Sequence, residues 1–278
     1  MPEGDTIHKI ANFLAPRLGG QTVLAANLAD AAAARRGVGR RVVDVVARGK
    51  HLFIEFDNGF ALRSHLGMHG SWHRYARGGD WQRPRKQLSL SLATAEWEYV
   101  CFNAKEVELV RIPSVRERIV HARLGPDLVV DEVDADGLVR RAREILDADA
   151  LLADALLDQR VASGIGNVYK SEVLFIERFS PATPIAGVDD RDLGRCYETA
   201  ADLLRRNLGG GRRVTRFAND QAGRLWVYGR GGQPCLVCDT PIRSRRIGRH
   251  HRGTYWCPVC QADERVFRGQ YTYLNRNL

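Results

Sequence analysis

Four cysteines in two close pairs constrain this chain more than any other feature. They read Cys235-Leu236-Val237-Cys238 and, 18 residues on, Cys257-Pro258-Val259-Cys260. Two thiolates at this spacing can clamp one edge of a tetrahedral ion. A second pair closes the opposite edge, so the pattern predicts a structural zinc site, one ion per chain. The residues between the pairs are then pinned as a hairpin. They carry five arginines (Arg243, Arg245, Arg246, Arg249, Arg252) and one acid, Asp239. A stapled hairpin with an arginine-rich tip suits a phosphate backbone. The plainer reading is a solvated basic loop over a zinc staple.

Charge distribution favours the first reading. The 278-residue chain has a formal charge of +9. From Arg205 onwards it holds 15 basic and 4 acidic residues, against 27 and 29 in the first 204, giving +11 and −2. A positive field confined to one quarter points to a localised anionic ligand. No stretch reaches the roughly 18 apolar residues of a membrane-spanning helix. The start, Met1-Pro2-Glu3-Gly4-Asp5, is acidic at once and unlike a signal peptide. The other two cysteines, Cys101 and Cys196, stand alone, as expected of packed thiols in a reducing, cytoplasmic compartment.

Along the chain, Asp5 or Thr6 can cap a helix bearing Ile7, Ile10, Ala11, Leu14 and Leu18, which Gly19-Gly20 stops. Strand patterns follow at 41–47, 51–56, 60–66, 87–92 and 96–102. The Asn58-Gly59 pair marks a tight hairpin turn. Ala31 to Ala34, flanked by arginines, reads as a surface loop. Several such strands suggest a β-sandwich or barrel with the first helix packed on it. After Arg123-Leu124-Gly125-Pro126-Asp127 the period becomes helical, at 134–146, 148–157 and 193–208. Between the last two, Ser163-Gly164-Ile165-Gly166-Asn167 reads as a glycine-rich turn opening a helix. Such a helix start can hold a phosphate, although a plain inter-helix turn has the same pattern.

Two single residues carry chemistry that their neighbours lack. Pro2 is small enough for Met1 to be removed, leaving a secondary amine. An α-amine has a pKa near ~8, so its neutral fraction can attack an aldehyde carbon and form an iminium. Met68, between Gly67 and His69, is either a core gap-filler or an exposed apolar wedge.

Four separated motifs together resemble the formamidopyrimidine-DNA glycosylase / endonuclease VIII family of repair enzymes. They are Pro2-Glu3-Gly4-Asp5-Thr6; Arg48-Gly49-Lys50-His51-Leu52; Gly164-Ile165-Gly166-Asn167; and Val227-Tyr228-Gly229-Arg230 leading into the four cysteines and Gln261. The resemblance spans nearly the whole chain. It implies an α+β fold with an N-terminal catalytic β-sandwich (1–127), a helix-two-turn-helix domain (134–225) and a zinc hairpin (228–262), with DNA in the cleft. The implied catalytic set is Pro2, Glu3, Lys50 and Arg252. Pro2 is the nucleophile at the anomeric sugar carbon, and Glu3 the proton carrier. Lys50 meets a phosphate and assists the lyase steps. Arg252 and Asn167 grip phosphates beside a flipped nucleotide, and Arg123 contacts another. Met68 fills the gap left by the extruded base. Zinc is structural, held by Cys235, Cys238, Cys257 and Cys260.

The implied substrate is double-stranded DNA with oxidised bases or abasic sites, handled by a monomer without a membrane. The outcome is base release and strand cleavage by β,δ-elimination. Within the family, Pro2-Glu3-Gly4-Asp5 and the short segment Arg212 to Val227 look like the endonuclease VIII branch, which favours oxidised pyrimidines. Thr6 stands where the guanine-directed branch has a glutamate. A guanine-directed glycosylase remains an alternative, as does a damaged-DNA-binding protein without catalysis. A zinc-finger regulator is a third reading, but the hairpin lacks a recognition-helix pattern.

Overall fold

A computed structural model describes residues 2–112, 124–217 and 223–262. The chain divides into two compact units, Met1–Leu124 and Gly125–Leu278. In the first, helix α1 (Gly4–Leu18) precedes β1 (Ala25–Leu28), helix α2 (Ala31–Gly37), β2 (Val42–Arg48), β3 (His51–Phe56) and β4 (Phe60–His65). Then come β5 (Ser71–Ala76), β6 (Leu88–Ala93), β7 (Trp97–Phe102) and β8 (Glu106–Arg111). The strands form two antiparallel sheets, ordered β1-β6-β7-β5 and β2-β3-β4-β8. Alternation decides which side chains meet. Leu52, Ile54 and Phe56 of one sheet and Leu90, Leu92 and Tyr99 of the other fall in one core, with Ile7, Ala11, Leu14 and Leu18 of α1. The Tyr99 hydroxyl donates to the Arg17 carbonyl (3.2 Å), fixing the end of α1 to the sandwich. Cys101 lies in this core, where burial pushes its thiol up to about 12, so it packs as an apolar group.

Three expectations need correction here. The helix cap is Glu3, not Asp5 or Thr6, and its side chain makes no cap bond. Ala31 to Ala34 is not a loop. Asp30 caps α2 by accepting from Ala32 and Ala33 N–H (2.8 and 3.1 Å), and Ala33 and Ala34 are buried. Strands β1, β5 and β8 were not expected either. Each is an edge strand with no fully buried position, so its sequence carries little of the apolar pattern that reveals a strand.

The second unit holds α3 (Ala135–Ile145), α4 (Leu152–Leu157), α5 (Asn167–Ile176), α6 (Asp190–Arg206) and the ribbon β9 (Arg243–Ile247) and β10 (Arg252–Trp256). Asp134 and Asp189 cap α3 and α6, accepting from Gly137 and Asp192 N–H. Leucines of α3, α4 and α6 meet Tyr169 and Val173 of α5 in one core. The helix expected from Ala148 starts only at Leu152. Before it, Ala148 and Ala150 carbonyls accept from Ala186 and Ile185, and Leu151 bridges Pro184. A tertiary partner satisfies this backbone, overriding its helical pattern.

Candidate active site and nucleic-acid interface

In the first unit, one helix start and two turns present the residues of interest. Pro2 is half-buried immediately before Glu3, which is fully buried at the head of α1. The Glu3 carbonyl accepts from Thr6 N–H (2.9 Å) and Ile7 N–H (3.1 Å). The helix therefore holds the main chain of Glu3, while its carboxylate is not committed to the cap.

Lys50 sits with Gly49 in the two-residue turn joining β2 to β3, closed by the Arg48–His51 pair. Beside it, Arg63 donates to His51 Nδ1 (2.9 Å), Glu106 (3.0 Å) and Glu108 (2.7 Å). A guanidinium can only donate, so His51 Nδ1 accepts and the ring is neutral. Burial, and then Arg63, hold its pKa down at about 3. The end of β3 next to Lys50 thus keeps one protonation state across the neutral range.

Met68 occupies the turn between β4 and β5 and is 57% exposed, so it is no core residue. Gly67 has a φ of 63°, and a Cβ at Gly70 would stand 2.5 Å from the Leu66 carbonyl oxygen. Only glycines let this turn close beneath the methionine.

In the second unit, Gln159 braces the approach to α5. Its amide donates to the Leu157 and Ile165 carbonyls (2.8 and 3.1 Å) and accepts from Gly164 N–H (3.1 Å). Asn167 then opens α5, with Gly166 as cap. One turn on, Lys170 is fully buried. Its ammonium donates to Thr254 Oγ1 (2.7 Å), Gly253 O (3.3 Å) and Asn167 Oδ1 (3.5 Å). Asn167 is thereby brought to the start of β10, where exposed Arg252 stands. Arg123 lies outside the described residues.

Glu172 of α5, also fully buried, accepts from Trp226, Val227 and Tyr228 N–H (2.7, 2.9 and 2.8 Å) and from the Thr215 hydroxyl. Burial pushes this carboxyl up, and the four donors oppose that. It anchors the segment that leads into the cysteines. In Glu172→Gln an amide N–H₂ faces these donors. Loss of stability on the order of 3 kcal/mol is expected, read as a lowered thermal midpoint. An unchanged midpoint would show that the anchor is dispensable.

The ligand sulfur atoms of Cys235, Cys238, Cys257 and Cys260 all lie within 4.8 Å of one another. Three of the separations are 3.8, 3.4 and 3.4 Å. A tetrahedron with Zn–S bonds of about 2.3 Å has edges of about 3.8 Å, so the donor set and its size fit zinc. Gln261 secures this knuckle, accepting from Cys257 N–H and donating to the Phe179 carbonyl, both at 2.8 Å. Phe175, Trp226, Val227 and Ile242 pack around it.

The hairpin does not offer all of its arginines. Arg249 is paired with Asp147, and its N–H donates to Asp154 (3.0 Å). At the neighbouring Gly248 a Cβ would stand 2.2 Å from an Asp154 oxygen, so only glycine lets the tip dock on α4. Charge counting assigned Arg249 to an anionic ligand; it holds the tip instead. Sequence reasoning also missed Lys170, Glu172 and Arg63. For Lys170 and Glu172 the one signal available was a lysine and a glutamate inside a helix whose other positions, Asn167 and Ser171 apart, are apolar or aromatic.

Comparison with known proteins decides the family. Residues 1–111 match the model of the formamidopyrimidine-DNA glycosylase N-terminal domain, 124–218 that of its H2TH domain, and 232–262 a zinc finger found in FPG and IleRS. The chain belongs to the formamidopyrimidine-DNA glycosylase family. Within it, the chain is 37% identical over 268 residues to a probable endonuclease 8 2 of Streptomyces coelicolor, covering 94% of each chain. It is 36% identical over 266 residues to the DNA-(apurinic or apyrimidinic site) lyase Nei2 of Mycolicibacterium smegmatis, covering 94% and 99%. A formamidopyrimidine-DNA glycosylase of Gloeobacter violaceus is 31% identical over 228 residues, 78% of each chain. This member thus stands nearer to those endonuclease 8 relatives. Its fold matches Lactococcus lactis formamidopyrimidine-DNA glycosylase bound non-covalently to AP-site DNA. The TM-score is 0.79 at 20% identity, covering 94% of this chain and 100% of the other. The expected sandwich, helix-two-turn-helix and four-cysteine hairpin are all present.

Proposed function

We propose that this chain is a bifunctional DNA glycosylase and AP lyase of base excision repair, removing oxidised bases, chiefly pyrimidines. The observation that carries the reading is the head of α1, where half-buried Pro2 directly precedes fully buried Glu3. With Met1 removed, the Pro2 amine attacks C1′ of the damaged nucleotide. The base leaves, taking a proton, as the sugar ring opens to a Pro2 iminium. Loss of a C2′ proton expels the 3′ phosphate, and a second elimination expels the 5′ phosphate. Hydrolysis then frees Pro2. Glu3 delivers and collects the protons, and Lys50 meets a DNA phosphate during the eliminations. Met68 fills the space of an extruded base, its exposure suiting a wedge. In the second unit Asn167 and Arg252 bind phosphates. One zinc per chain, held by the four cysteines, supplies a structural cross-link.

The preference for pyrimidines is supported by the Pro2-Glu3-Gly4-Asp5 start, the short segment from Arg212 to Val227 and the relatives named endonuclease 8. Action as a monomer in the cytoplasm is part of the same reading. The test is borohydride trapping on duplexes bearing thymine glycol, 8-oxoguanine or an abasic site. A covalent band mapping to Pro2, stronger with thymine glycol than with 8-oxoguanine, is expected. The reverse order moves the substrate to oxidised guanine. No band on any duplex, with Met1 shown to be absent and DNA bound, makes the protein a non-catalytic binder.

A further inference from the structure

We infer that Lys170 is the positioning residue that sets the polarity and spacing of the Asn167–Arg252 phosphate grip. The inference rests on the reading above, in which those two residues bind DNA phosphate. An ammonium with no exposed surface sits in a helix whose neighbouring positions Val168, Tyr169, Val173 and Leu174 are buried and mostly apolar. Burying an ammonium is costly unless its donors are satisfied. An apolar side chain could fill the space at lower cost, so packing does not explain the charge.

Its hydrogen bonds do. An ammonium only donates, so the Asn167 amide must turn Oδ1 towards it. The amide is planar, and its N–H₂ end then points away from Lys170 as a donor, which a phosphate oxygen requires. Released from Lys170, the amide can rotate and present an oxygen to an anion, a repulsive contact. On its other side Lys170 donates to the Gly253 carbonyl and the Thr254 hydroxyl, and that hydroxyl donates on to the Arg252 carbonyl (3.1 Å). One buried charge therefore fixes both the donor end of Asn167 and the backbone from which Arg252 projects. It joins positions 84 residues apart in sequence.

Lys170→Met keeps most of the stem and removes the ammonium. DNA affinity is expected to fall about tenfold, the size of a lost charge-assisted hydrogen bond. The loss should fall on KM for DNA rather than on kcat. Combined with Asn167→Ala, it should cost little more than the larger single change, because both remove one device. Zinc content and thermal midpoint report folding. If Lys170→Met fails to fold, the near-isosteric Thr254→Val takes its place, with an expected loss of about threefold that is sub-additive with Arg252→Ala.

Two failures are distinguishable. If Asn167→Ala and Arg252→Ala leave affinity and its salt dependence unchanged, the phosphate-grip reading falls. If those two weaken binding while Lys170→Met does not, or its effect multiplies fully with theirs, the role assigned to Lys170 is wrong. Full additivity of Thr254→Val with Arg252→Ala has the same meaning.

Discussion

Glu3→Gln is expected to retain DNA binding and lose base excision, with a rate lower by about 10²–10⁴-fold, the usual contribution of a positioned proton carrier. The change is isosteric. The Glu3 carbonyl, rather than its side chain, accepts the first helical hydrogen bonds, so α1 keeps its start. The carboxyl is fully buried, and no bulk water reaches it to substitute as a base. An amide in the same place neither gives nor takes a proton at neutral pH. Single-turnover release from a lesion duplex, beside a binding isotherm on the same duplex, separates the two effects. Turnover near the wild-type rate would put the proton carrier elsewhere. Loss of binding as well would mean that the substitution disturbed the head of α1.

Removal of the metal is expected to have the other large effect. β9 and β10 form an isolated two-stranded ribbon whose residues are exposed or half-buried apart from Thr254. Such a ribbon is marginal in water by itself. Zinc bound by four thiolates contributes on the order of 10 kcal/mol to small zinc domains. The small core around the cysteines, with Phe175, Trp226, Val227 and Ile242, surrounds the sulfur cluster and loses its centre without the ion. A strong chelator should release one zinc per chain, loosen the 235–260 segment and abolish DNA binding, since Arg252 then has no fixed backbone. Zinc can be followed with a colorimetric chelator and binding by anisotropy. Full-length protein that binds normally without metal would overturn the structural role. Cys257→Ser should reproduce the loss without chelator.

How much of this was readable beforehand differs from element to element. β3 matches the expected strand at both ends, because both of its faces bury apolar side chains and Asn58-Gly59 punctuates the turn that follows it. α6 was legible from its leucines and the glycines beyond it, although its start at Asp190 comes earlier than the apolar pattern shows. The cysteine knuckle was legible because metal chemistry demands one residue type at short spacing. Arg249 was misread for the opposite reason. Composition counts its charge, but only geometry reveals that Asp147 has already claimed it, while Asp154 holds the Arg249 backbone N–H.

The sequence by itself determined the chemistry-bearing ends of this protein. The Pro2-Glu3 start, the glycine turn before Asn167, the four cysteines and the basic C-terminal quarter are local patterns, and local patterns are written in residue order. Tertiary structure alone decided which of them work together. Lys170 reaches Thr254 across 84 positions, and Glu172 reaches Val227 across 55. It also decided that Ala148 to Leu151 pairs with the segment before α6 instead of entering a helix. The physical reason is the same in each case. A helical or strand period records which face is buried, but a buried polar group is satisfied by whatever partner the folded chain brings to it, and no period encodes that partner.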